Sequence, residues 1–437
     1  MINRVVFYSS VERNFRSTLL GYLLELQHLE NIEIIFLYEQ FDSEIFDFLN
    51  SKIHFPRIIK FIYVGQYDGN LTSSISQFRK FSKLCSDIIT QYLPDIVITS
   101  SDFHSIFELF LCRAAKKSNK KIISVACSNS VGEMSRISKW ITLYSINTRL
   151  NFLPTFIAFG YYTFRKFLAY FVVHYLLPIF SGNLPFYGNS SFLLYRGQSG
   201  MRDATYQIVF SEQEKLHFQD SGVPVDKLIT IRHPYYSKPI KTIVYNYFRK
   251  SFDIDFLILH SAELIGFNNN DLSTISIDQR LDINIMVFKK INEIYPEKFI
   301  YIKLHPNVSF NNLEYIKNRY LSEANNILFI DQSVPIESLL ISSKIVIDLP
   351  RPVSTSIFMN TLFNPNGISI SLDLFEEYLG DYYKFNESVE YITNIESFVN
   401  FLISYKNNTY HSSFTYGCNQ FEYCNMISFM IDKSLIV

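Results

Sequence analysis

The sequence predicts an α/β protein of two facing domains, each a mostly parallel sheet covered by helices. Three observations carry this. Strand-like apolar runs alternate with helical segments in both halves of the chain, the pattern of βαβ units. The 437 residues suit two or three domains at about 100–200 residues each. Hydrophobic residues make up 48% and charged residues 19%, a composition that buries a large core and excludes general disorder.

In the first half, Arg4–Tyr8 reads as a strand, and Arg16–Leu29 spaces Leu19, Leu20, Leu23, Leu24 and Leu26 as a helix does. Ile32–Leu37 and Ile58–Val64 are further strands, with a helix beginning at Glu44–Leu49 between them. Ser74–Tyr92 is helical, Asp95–Thr99 a strand after Pro94, and Phe103–Lys117 a helix leading into the strand Lys121–Ala126. This half is Rossmann-like. In the second half the strands are Gln207–Ser211, Leu228–Arg232, Phe256–His260, Phe299–Leu304, Ile327–Ile330 and Lys344–Asp348. Helices are expected at Glu212–Ser221, Ile277–Tyr295, Asn312–Ala324, Ile336–Ser342 and Ile395–Tyr405, with a hinge over Lys238–Ser251, where no clean period shows.

Between the halves, Phe152 to Phe180 is nearly continuous aromatic and aliphatic sequence. Arg165 and Lys166 sit at its centre, at about 2.5–3.5 kcal/mol each for insertion, and Pro154 and Pro178 bracket it. A membrane span is therefore not expected. The segment reads either as a buried helix pair or as an interfacial helix in peripheral contact with a membrane face.

Charge and cysteines exclude several functions. Forty basic side chains against forty-one acidic ones leave no positive field for a nucleic-acid backbone. The five cysteines are scattered, with no CxxC, so neither a disulfide scaffold nor a zinc site is expected. The N-terminal run Val5–Tyr8 is too short for an export signal, and the reading is cytoplasmic. No GxxxxGK[ST], GxGxxG, HExxH or GxSxG motif occurs where its chemistry would need it. Asp253-Ile-Asp255 spells a sugar-transferase metal motif but precedes its strand, so no metal is expected.

Ligands of open parallel sheets bind beyond the carboxyl ends of the strands. There the chain offers His305, Pro306 and Asn307 in KLHPN, where Pro306 stiffens the exit and His305 either donates to a phosphate oxygen or is satisfied at the edge. Arg351 with Ser354, Thr355 and Ser356 in PRPVSTS offers a charged partner and hydroxyls, either for an anion or as a plain helix cap. His260 and Glu263 follow another strand. In the first half, Asp102 and His104 in SSDFH and Glu133 in SNSVGEM are acid–base candidates, or else helix N-cap or solvated loop residues.

The order SEQEKLHFQDSGVPVDKLITIRHP, IKLHPN, PVSTSIFMN resembles the GT-B glycosyltransferases of bacterial surface polysaccharides, sialyltransferase-like and Kdo-transferase-like enzymes among them, over about Arg4 to Gly367. The resemblance implies a nucleotide-sugar donor held mainly by the C-terminal domain, with His305 on its phosphate and Ser354 to Ser356 on the phosphate or a neighbouring carboxylate. It implies no cofactor beyond that donor substrate, and a glycan or glycolipid acceptor at the inner membrane face. Where sialyltransferase-like enzymes carry an acidic pair before glycine, this chain has Asp102 and Glu133. The domains follow as 1–150 for the acceptor, 151–185 for the aromatic insertion, 186–405 for the nucleotide-sugar with a hinge near 238–251, and 406–437 as a tail. UDP-sugar 2-epimerases, which share the fold and a His-Pro-Asn strand end, are the enzymatic alternative; a non-catalytic assembly protein of the same fold is the other.

Overall fold

Seven parallel strands form the first sheet: β1 (Asn3–Val11), β2 (Ile32–Gln40), β3 (Ile58–Tyr63), β4 (Ile96–Thr99), β5 (Lys121–Val125), β6 (Tyr206–Val209) and β7 (Leu228–Thr230), in the order β3-β2-β1-β4-β5-β6-β7. Six parallel strands form the second: β8 (Ile254–His260), β9 (Ile300–Lys303), β10 (Ile327–Ile330), β11 (Ser343–Leu349), β12 (Ile368–Leu372) and β13 (Glu390–Ile392), in the order β10-β9-β8-β11-β12-β13. The computed structural model describes residues 2–11, 15–41, 43–51, 53–65, 71–102, 105–125, 200, 203–220, 223–248, 252–260, 277–304, 310–349, 357, 360, 363–364, 367–374, 389–410 and 424–436. The aromatic segment 152–180 lies outside them. Among the described residues no helix is long and apolar enough to cross a membrane.

The chain divides into two units, residues 1–240 with 419–437, and residues 241–418. This differs from the sequence reading in three places. The strands β6 and β7, expected in the second domain, extend the first sheet, because β6 pairs with β5 across some eighty residues and covers what would be an open edge. The expected hinge is mostly a helix, Lys238–Phe248. Its buried face is Ile240, Val244 and Phe248, a period of four that packing selects although its remaining positions look irregular. The expected tail contains a helix, Met426–Asp432, capped by Asn425, whose side chain accepts from Ser428 N, and this helix belongs to the first unit.

In the first unit, Val5, Val6, Phe7 and Tyr8 of β1 are fully buried, as a central parallel strand covered on both faces requires. On one face the helices α3 (Leu71–Tyr92) and α4 (Ile106–Lys117) bring Phe81, Cys85, Ile88, Phe107 and Leu111 onto Val6, Ile35 and Val97. On the other, Phe15 and Phe7 pack against Phe36, with ring centroids 5.4 and 5.9 Å away. The short helix α1 (Leu20–Leu26) is buried throughout and leans on Pro234 and Tyr235, whose hydroxyl donates to the Arg16 carbonyl.

Gly21 is what lets α1 approach this closely. A Cβ there would stand 2.5 Å from Pro234 Cγ and 2.7 Å from Pro234 Cβ. Alanine would gain about 1 kcal/mol of helix propensity, but crowding a packed core costs about 1–3 kcal/mol. The clash involves a rigid ring, so Gly21→Ala is expected to lower the denaturation midpoint; a stabilised variant would mean that the contact is looser than it stands here.

Candidate functional site

The two sheets share a topology that places their ligand-facing edges. In each, the first strand is flanked by strands whose connections run in opposite directions, and that switch point lies at β1/β4 in the first sheet and β8/β11 in the second.

At the carboxyl end of β4 the chain runs through Ser100, Ser101 and Asp102 into α4, whose N-cap Ser105 forms a reciprocal capping box with Glu108. The Ser105 hydroxyl accepts from Glu108 N at 3.0 Å, and the Glu108 carboxylate accepts from Ser105 N. The other Glu108 oxygen accepts from Ser100 Oγ at 2.9 Å and from Ser101 N at 2.8 Å. Glu108 is fully buried, and burial outweighs these hydrogen bonds, pushing its carboxyl up to about 8. Next to it, Tyr8 on β1 donates its hydroxyl proton to Glu39 on β2. Ser105 Oγ lies 2.7 Å from the Tyr8 oxygen. A phenol has one proton, already given to Glu39, so Ser105 is the donor in that contact. Burial raises the half-buried Glu39 carboxyl as well. The edge thus carries a continuous chain Glu108–Ser105–Tyr8–Glu39, in which the Glu108 carboxyl can hold its proton at neutral pH.

Asp102, an expected acid–base residue, is fully buried and bonded to the backbone. Its two oxygens accept from Gly200 N at 3.0 Å and Ala204 N at 3.2 Å. Gly200 makes this possible with a φ of +90, and a Cβ there would lie 2.7 Å from Gln207 Cβ. The aspartate ties the end of β4 to the entry of β6, two strands away in the sheet.

In the second unit, His260 ends β8 and is 5% exposed. Its Nε2 is 3.2 Å from the hydroxyl of Tyr320 on α8 (Phe310–Glu323), and the rings stack at 5.4 Å. Asn284, on the helix Ile277–Ile294, donates Nδ2 to the same hydroxyl at 2.8 Å. Burial holds the His260 imidazole down to about 3, so it is neutral at physiological pH. Lys303 at the end of β9 and Asp348 near the end of β11 flank Leu259, one step before His260. The Lys303 ammonium donates to the Asp331 carbonyl at 2.5 Å, and burial lowers it to about 8.

Of the residues expected in the site, Asp102 and His260 are thus placed, in different units, and each meets groups the sequence does not point to. His104, Glu133, Glu263, His305, Pro306, Asn307, Arg351, Ser354, Thr355 and Ser356 lie outside the described residues. Asp253 and Asp255 stand at the opposite edge, where Lys344 Nζ is 3.5 and 2.7 Å from them and Lys298 Nζ is 3.0 Å from Asp255. Among the described residues no group of three or more His, Cys, Asp or Glu is set to hold a metal. The sequence reading missed Tyr8, Glu39, Glu108, Asn284 and Tyr320. Only Ser105-x-x-Glu108 carries a local signal, the capping-box spelling.

Residues 215–366 match the family model of alpha-2,8-polysialyltransferase (POLYST). No curated protein sequence matches the chain. Among solved structures, the UDP-GlcNAc 2-epimerase of Methanocaldococcus jannaschii superposes with a TM-score of 0.52 at 13% identity, covering 92% of each chain. That of Neisseria meningitidis bound to UDP-GlcNAc gives 0.52 at 14%, covering 100% of this chain and 99% of its own. The UDP-N-acetylglucosamine 2-epimerase of Rickettsia bellii gives 0.51 at 9%, covering 95% and 91%. Identities this low show the fold, which is α/β of the GT-B kind, and leave chemistry to the site.

Proposed function

We propose that the chain is a nucleotide-sugar-dependent glycosyltransferase acting on a surface glycan, with a sialyl-type sugar as its cargo. The observation that carries this reading is the polysialyltransferase match over residues 215–366, set in a chain of GT-B fold. The matched span includes His260, Glu263, His305, Pro306, Asn307, Arg351 and Ser354 to Ser356, the residues proposed to hold the donor.

In this reading a base takes the proton of an acceptor hydroxyl, whose oxygen attacks the anomeric carbon. The bond from that carbon to the nucleotide phosphate breaks, and the phosphate leaves with the electron pair. His305, Arg351 and the serine hydroxyls are proposed to stabilise that charge by direct hydrogen bonds. Asp102 has both oxygens engaged by Gly200 and Ala204, so the base is assigned to His104 or Glu133. A metal-free transfer and a site at the inner membrane face belong to the same proposal.

A thermal-shift panel of CMP-, UDP-, GDP- and CDP-linked sugars tests it, with stabilisation by a CMP-linked donor expected. His305→Ala should weaken that binding about tenfold, the scale of a hydrogen bond to a charged oxygen, at an unchanged melting temperature. Conversion of UDP-GlcNAc to an isomer without an acceptor would instead establish an epimerase, the activity named for the fold neighbours. No response to any nucleotide would favour an assembly protein.

A further inference from the structure

The hydrogen bonds around His260 determine which of its nitrogens carries the proton. The imidazole is neutral, so it has one N–H. Tyr320 is fully buried, and burial drives its phenol well above the usual range, so it keeps its hydroxyl proton. Asn284 Nδ2 already donates to that oxygen at 2.8 Å, which leaves the phenolic proton to find an acceptor. His260 Nε2, at 3.2 Å, is the acceptor within reach, and when it accepts, the proton of His260 resides on Nδ1. Phe288 holds the Tyr320 ring edge-on at 4.9 Å and Phe329 lies parallel to it at 6.3 Å, so the phenol is packed into one orientation.

We propose that Tyr320, oriented by Asn284, is a positioning residue that locks His260 as a fixed Nδ1–H donor for an anionic phosphate oxygen of the nucleotide. The phosphate part rests on the transferase reading above; the tautomer rests on the hydrogen-bond geometry and the burial of the trio. A buried polar trio can exist only to satisfy its own members. This one ends on the last residue of β8, beside the strand β11 with which it forms the switch point, where a permanent donor has a use. A neutral histidine with a fixed tautomer offers a hydrogen bond without titrating, unlike an exposed imidazole.

Long-range ¹H–¹⁵N spectra of the full chain labelled at its nine histidines, with His260→Gln assigning the signal, read the tautomer directly. The expected wild-type spectrum shows His260 as Nδ1–H, unchanged between pH 6 and 8. In Tyr320→Phe the signal should move toward the Nε2–H form, and the affinity for CMP or UDP, whichever binds the wild type, should fall about tenfold. An Nε2–H wild type overturns the proposal even if the variant does not fold, as does a variant with an unchanged tautomer. A changed tautomer with unchanged nucleotide affinity overturns the phosphate role. If neither CMP nor UDP binds the wild type, that role fails together with the transferase reading, while the tautomer result still decides what Tyr320 does.

Discussion

Raising the pH from 5.5 to 8.5 is expected to destabilise the first unit by about 3 kcal/mol or more, while the second unit moves the other way. Three buried glutamates of the first unit produce the effect. Burial pushes the carboxyl of Glu108 up to about 8 and those of Glu25 and Glu214 to about 7. An unfolded glutamate releases its proton near 4.5, so between that pH and 7–8 the folded unit holds protons that the unfolded chain does not. Each such proton tilts stability by about 1.4 kcal/mol per pH unit, downward as pH rises. Their contribution is full below about 4.5 and lost as pH climbs through 7 and 8. His260 in the second unit has the opposite sign, since its folded value of about 3 lies below the ordinary 6.5. Its contribution is present above 6.5 and lost as pH falls toward 3. Hydrogen exchange read on peptides of β1 and α4 against those of β8 and α8 separates the two. Faster exchange of the first set at pH 8.5 than at 5.5, after correction for the intrinsic rate, is the expected result. Glu108→Gln, which keeps the shape without the charge, should shrink the difference; equal protection at both values would show that these carboxyls are better solvated than their burial implies.

The second large effect is at Asp102. Removing its carboxylate in Asp102→Ala strands the buried N–H groups of Gly200 and Ala204. Hydrogen bonds to a charged group contribute about 1.5–3 kcal/mol each, so a loss of about 3 kcal/mol is expected even after relaxation. Asp102→Asn should cost nearly as much, because its amide would turn a donor toward a donor. Equilibrium unfolding in urea measures both, and exchange at residues 200–210 should rise first. A catalytic base would behave differently: stability would stay near wild type while turnover collapsed, and that outcome would return Asp102 to the chemistry. The distinction matters because the aspartate sits at a strand end, where the sequence alone favours a helix cap or solvated loop over an acid–base role and points to no buried clamp.

Much of the scaffold is legible in the linear sequence. Runs such as Val5–Tyr8 and Phe256–Leu259 are hydrophobic throughout, which is what a central parallel strand buried on both faces demands. The helix Ile336–Ser342 has the bounds its pattern predicts, between Pro335 and the strand that follows. The strands β12 and β13 escape notice because ISISL and EYI are short and mix polar residues with apolar ones. Ser369 is tolerated inside β12 because its hydroxyl is satisfied there, accepting from Asn360 Nδ2 at 2.9 Å and donating to the Ile357 carbonyl at 3.2 Å.

By itself the sequence determines that this protein is built from the alternating strands and helices of parallel α/β sheets. Those features depend on hydrophobic period and on turn residues, which act within a few positions of one another. Tertiary structure alone decides that β6 belongs beside β5, that Lys238–Phe248 is helical, that Asp102 grips Gly200, and that Tyr320 faces His260. Each of these joins groups that are distant in the chain, or selects one face of an ambiguous segment. The deciding terms are burial and the satisfaction of buried donors and acceptors, and both exist only once remote segments have closed around one another.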